Sequence, residues 1–176
     1  MADTARPEAL ERLDIFAGRW ALEASFPGDP PATAHDPAGG PAHPAGGPPP
    51  GGGEPGAGAQ SVFEWALDRR FLMQRTEIQV PGAPDSLAIV SWDEATGAYT
   101  QHYFDSRGVT RLYAMSFAAG TWELRRDRPD FSPLDFAQRF TGRFSDHGST
   151  IRGSWEKSFD GSTWEHDFEL TYRRVG

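Results

Sequence analysis

From residue 61 to residue 173 the chain alternates apolar and polar side chains with period two, interrupted about every 12 residues by a short turn signal. No other feature constrains the fold as much. Period two is the spacing at which a β-strand sends successive side chains to opposite faces. It marks segments near 61–67, 70–80, 86–92, 98–105, 109–117, 121–127, 135–145, 149–158 and 163–173, and the stretch Arg19–Phe26 adds a tenth. Between them stand DEATG, DSRG, FAAG, SDHG and FDGS, which carry the Asp and Gly chemistry of tight hairpins. No helical pattern separates consecutive strands, so neighbours pair antiparallel. Ten such strands, each with one apolar face, close most simply into a barrel and so lose their edges. The predicted fold is all-β, a roughly ten-stranded antiparallel meander closed into a barrel, with one short N-terminal helix. An open sandwich is the structural alternative.

Two segments depart from the strand rhythm. TARPEALERLDIFAG reads as the helix, capped by Thr4, with Pro7 and Glu8 in its first turn and Gly18 at its stop. Leu10, Leu13 and either Phe16 or Ala17 line one side of it. From Pro27 to Ala59, only Asp29, Thr33, His35, Asp36, His43 and Glu54 are anything other than Pro, Gly or Ala. Such a stretch has nothing to bury against the entropy of ordering, so a disordered insertion is expected at 27–59. His35 and His43 then belong to a solvated tether. Strand patterning resumes after it, which makes residues 1–176 one interrupted domain.

Composition narrows the classes of function. There is no cysteine, so neither disulfides nor thiol chemistry are available. The net charge of −8 is spread as mixed signs along the strands, which argues against nucleic acid as a partner. No apolar run approaches membrane-spanning length, and MADTARPEALERLDIF lacks the basic start and apolar run of a secretory signal. A cytoplasmic protein with no membrane partner is expected. Aromatic residues at 12%, six of them Trp, suit a strand-built core or a lined cavity.

The helix followed by Gly18-Arg19-Trp20 resembles the G-x-W start of the calycin superfamily, whose lipocalins, fatty-acid-binding proteins and nitrobindins are barrels with a ligand cavity. FAGRW, WALDRRFLMQRTE, SWDEATGAYTQHYFDS and DGSTWEHDFELTYRR together resemble a bacterial calycin-like family, domain of unknown function 1579. That resemblance covers nearly all of the chain outside 27–59. It implies a barrel and settles no activity. It also implies that Arg174, near the end of the last strand, covers Trp20 as a cation–π lid.

Polar residues on apolar faces mark a candidate pocket. In TWEHDFELTYRR, alternation puts His166 with Trp164, Phe168, Leu170 and Tyr172, so His166 is expected to face inward. There it serves either as a hydrogen-bonded structural contact or as a ligand contact. The likeness to nitrobindin implies a third role for it, axial ligand of haem b. Gln138 shares a face with Phe136, Phe140 and Phe144. Arg75 alternates with Phe71, Met73 and Glu77, and pairs with Glu77 in the barrel mouth or meets water there. His102 lies opposite Tyr99 and Tyr103, and either face of its strand is apolar enough to be inward. The loop Arg126–Asp135 is either a flap over one end or a plain connection. His147 sits in a turn, too far from His102 and His166 in this reading to make a zinc site. No nucleophile elbow, phosphate loop or assignable carboxylate pair is present, so no catalytic residue is named.

The expected function is binding of a small apolar or amphipathic ligand without a cofactor, by His166, Gln138, Arg75, His102 and Trp164. The alternative is a haem b protein acting on reactive nitrogen species. A packed interior with no cavity is the third reading, and a homodimer stays open.

Overall fold

The computed structural model describes residues 6–27, 58–79 and 82–176. Thr4, His35 and His43, and the disorder expected of the insertion, lie outside the described residues. The helix α1 spans Glu8–Glu11 and tightens into a 3₁₀ turn over Arg12–Phe16. Ten strands follow: β1 (Gly18–Ser25), β2 (Ala59–Ala66), β3 (Phe71–Ile78), β4 (Ser86–Asp93), β5 (Ala98–Asp105), β6 (Thr110–Ala118), β7 (Thr121–Arg126), β8 (Ala137–Ser145), β9 (Thr150–Ser158) and β10 (Glu165–Val175). Each strand pairs antiparallel with the next, and β10 returns to β1. The sheet is therefore a closed barrel with no free edge. Strand β2 begins one residue inside the stretch read as insertion, because Ala59 pairs with Ile78.

The meander gives the barrel two unlike ends. At one, α1 and its 3₁₀ turn drive Leu10, Leu13 and Phe16 into the lumen, none more than 2% exposed. Phe16 is the hub of this plug: its ring centroid lies 5.5 Å from Phe63, 5.0 Å from Phe117, 5.2 Å from Trp122 and 4.9 Å from Phe144. Burying a side chain of this size is worth about 1.5–3 kcal/mol. The plug is also tied by hydrogen bonds, since Trp20 Nε1 donates to the Phe16 carbonyl at 2.8 Å and the Tyr99 hydroxyl donates to the Ala9 carbonyl.

Arg174 seals this end. Its guanidinium lies 4.2 Å over the Trp20 ring and donates to the carbonyls of Ala17 at 2.7 Å and Ile15 at 2.5 Å. Gly18, at φ +130°, is where the backbone must yield to it. A Cβ there would stand 2.8 Å from Arg174 Nη1, and the conformation itself disfavours any side chain. The glycine is required by this close approach, and the 3₁₀ turn ends earlier, at Phe16.

The opposite end is the mouth. The tops of all ten strands meet there, together with the described connections 82–85, 106–109, 127–136 and 159–164 and with Pro27 and Gly58, which flank the undescribed insertion. Among the described residues no helix is long and apolar enough to cross a membrane.

Candidate ligand site in the barrel mouth

The strand register decides which side chains enter the lumen. Starting from Trp20, the paired positions run Ser61, Thr76, Ser86 and Asp105 toward the mouth, and Phe63, Gln74, Ala88, Tyr103 and Arg111 beside them. The inner row of β3 is therefore Leu72, Gln74 and Thr76, at 1%, 9% and 6% exposure. Phe71, Met73, Arg75 and Glu77 are on the outer face, against the expectation for Arg75. Arg75 is exposed, forms no ion pair with Glu77, and borders with Glu77, Asp85 and Phe104 an open rim groove of about 320 Å³. The apolar pair Phe71 and Met73 misleads because the outside of this sheet is itself apolar: Met73, Ile89, His102 and Leu112 form one cross-strand row. His102 is thus half-buried on the outer wall, and its neighbours Gln101 and Tyr103 point inward.

His166 is also outside, and the cause is a β-bulge. His166 pairs with Glu156, but Phe168 pairs with Trp155, so Asp167 is an extra residue and the alternation reverses across it. Phe168, Leu170, Tyr172 and Arg174 keep the inner face. Trp164 and His166 take the outer one. There Trp164 lies between two guanidinium groups, Arg139 at 4.3 Å and Arg125 at 5.8 Å. His166 Nδ1 is 3.1 Å from the Ser154 hydroxyl. Asp167 turns to Lys157, whose Nζ donates to it at 3.0 Å.

Gln138 does enter the lumen, at 8% exposure, and is the centre of a polar cluster. Its Oε1 accepts from Arg111 Nη1 at 2.5 Å and from the Tyr113 hydroxyl at 3.0 Å. Across the barrel, Gln74 Nε2 donates to Ser61 Oγ at 3.1 Å and to the Tyr172 hydroxyl at 3.4 Å, while Ser61 and Thr76 hydroxyls bond at 3.0 Å. Between these groups Gln101 projects inward from β5, opposite Val90 and Tyr113, at 4% exposure. Its amide makes no hydrogen bond to any described residue. Trp155, stacked at 6.2 Å on Phe168, supplies an apolar wall.

Charge at the mouth is mostly compensated. Asp130 takes the Arg126 guanidinium at 2.8 and 2.9 Å and also accepts from the Leu112 amide at 2.9 Å, so the loop after β7 is pinned to β6. The Arg126 guanidinium, followed by the Leu112 and Ser132 amides, holds the Asp130 carboxyl well below the usual carboxylate range. Asp105 accepts from Arg107 at 2.6 Å. Burial pushes Tyr103 up to about 12, helped by the Asp105 charge, and burial alone pushes Tyr172 up to about 12. These phenols stay protonated: Tyr103 donates to Asp105, and Tyr172 accepts from Gln74.

Haem b does not fit these residues. Of the three described histidines, His102, His147 and His166, none faces the interior. The inner tyrosines are shifted away from the phenolate form that ligates iron. Among the described residues no group of three or more His, Cys, Asp and Glu stands together as a metal site.

The geometry defines a plugged, ten-stranded antiparallel barrel with a polar mouth half. No family model matches the chain and no curated protein matches it, so its place rests on that geometry. Sequence reasoning found Gln138 and missed Gln101, Gln74 and Arg111. Gln101 carries a usable signal, a polar residue on the same face as Tyr99 and Tyr103.

Proposed function

We propose that the protein binds a small amphipathic molecule in the mouth half of the barrel. Trp155, Phe168 and Leu22 supply apolar wall, and Gln101 and Gln138 supply polar anchors. Gln101 carries the reading. The fully buried side-chain nitrogens and oxygens without a partner among the described residues are Arg6 Nε, Trp65 Nε1 and Trp122 Nε1, so the Gln101 amide keeps open surface in the lumen, where a bound molecule can take its donor and its acceptor. Sparse polar groups converging on an apolar wall are the ordinary make-up of a small-molecule site. His166, Arg75, His102 and Trp164 take no part in it, being on the outer wall.

The test uses the neutral amphiphile N-phenyl-1-naphthylamine, followed by its fluorescence and by quenching of the tryptophans. Saturation near one equivalent is expected. Ala88, at 4% exposure, faces the lumen between Gln74 and Tyr103, and Ala88→Phe fills that space and abolishes the signal in a folded protein. A signal that never saturates, or one that survives Ala88→Phe unchanged, refutes the proposal.

A further inference from the structure

One cation on the inner face near the mouth has no ionic partner among the described residues. Arg126 has Asp130, Arg107 has Asp105 and Lys157 has Asp167. Arg111, opposite the inward Tyr103, has no carboxylate within ion-pair distance among the described residues. Its Nη1 donates to Gln138, its guanidinium also faces the Tyr113 hydroxyl and stands 5.5 Å from the Phe136 ring, and no carboxylate takes the remaining donors. An inward cation with free donors, partly withdrawn from water, is stable only beside an anion or strong acceptors.

Donors converge around it. Gln138 spends its oxygen on Arg111 and Tyr113, which leaves its Nε2 without an acceptor among the described residues. Gln101 is the cross-strand neighbour of Tyr113. Arg111, Gln138 and Gln101 thus form one patch on β5, β6 and β8 that offers N–H groups from all three and no carboxylate, with the Gln101 carbonyl oxygen beside them. From this we infer that the amphipathic ligand carries a single anionic group, a carboxylate or sulfonate, seated on Arg111 with Gln138 and Gln101 beside it. The inference rests on the binding function proposed above and names the ligand's chemical class.

Two probes of one ring framework separate the two ideas. 1-Anilinonaphthalene-8-sulfonate differs from N-phenyl-1-naphthylamine by its sulfonate alone. The full chain is expected to bind the sulfonate at least about tenfold more tightly, as a charge-assisted contact predicts. Arg111→Met should erase that preference while leaving the Kd for the neutral probe within about twofold, and Arg111→Lys should keep most of it. If Arg111→Met does not fold, rising salt decides on the wild type, because it weakens only the sulfonate probe's binding. Equal binding of both probes, or a preference that survives Arg111→Met, overturns the anion site and leaves the binding function standing. Binding of neither probe removes both.

Discussion

Gly153→Ala tests the packing of the barrel most sharply, because two principles give it opposite signs. Gly153 has ordinary strand backbone, and in an open strand the exchange stabilises by about 0.4–1 kcal/mol through the unfolded chain. Here a Cβ would stand 2.2 and 2.3 Å from Cζ and Cε2 of Phe140, far inside the ~3.5–4.0 Å of carbon contact. Phe140 is 0% exposed and hemmed by Trp122 at 4.9 Å and Trp155 at 5.1 Å, so its ring has nowhere to go. A Cβ at Gly142, the cross-strand partner of Gly153, would likewise stand 2.8 Å from Cε1 of the same ring. Overpacking of this kind costs about 1–3 kcal/mol. The balance is a loss of about 1–2 kcal/mol, which lowers Tm by about 2–8 °C in a domain of this size. Calorimetry on Gly153→Ala, Phe140→Leu and the double variant closes a cycle, and the smaller Leu should recover at least about 0.5 kcal/mol of the Ala penalty as non-additivity. A Tm that rises with Gly153→Ala, or strictly additive singles, refutes the packing argument.

Arg174→Ala removes contacts to the carbonyls of Ile15, Ala17 and Gly148 and the stack on Trp20, and should cost about 2–4 kcal/mol in urea unfolding, with Arg174→Lys restoring only part. Asp130 has its carboxyl pKa depressed by folding, so its contribution is present above the unfolded carboxyl pKa of about 3.9 and is lost as pH falls toward the folded value. Asp130→Asn should therefore be less stable than wild type at neutral pH, with the gap narrowing below about pH 4; a gap that is constant with pH contradicts this. His166→Ala, on the outer wall, should change stability by less than about 0.5 kcal/mol and leave probe binding intact. Gln101→Leu should cost no stability, since no protein partner is lost, yet change the affinity for the neutral probe; destabilisation would mean that Gln101 has a structural partner.

Strand number, order and closure were legible because alternation and turn chemistry are local. Gly97, Gly108, Gly120, Gly148 and Gly161 all adopt the positive φ that their hairpins imply. Leu10, Leu13 and Phe16 fill the lumen as their spacing suggests. Sidedness was less legible. Gln138 was placed correctly because its strand neighbours Phe140 and Phe144 leave only one apolar face. Arg75 and His102 were not resolved, because both faces of β3 and β5 carry apolar residues and local sequence ranks them equally.

The sequence by itself determined ten strands, a meander and one short N-terminal helix, since each follows from the period and punctuation of a short window. Which face of a strand becomes the inside was decided only by pairing around the closed barrel. Because the side-chain period is two, one extra residue reverses every side chain beyond it, and Asp167 does this to His166 and Trp164. Nothing in HDF announces that residue as a bulge. The register of β9, with Trp155 opposite Phe168, fixes it there.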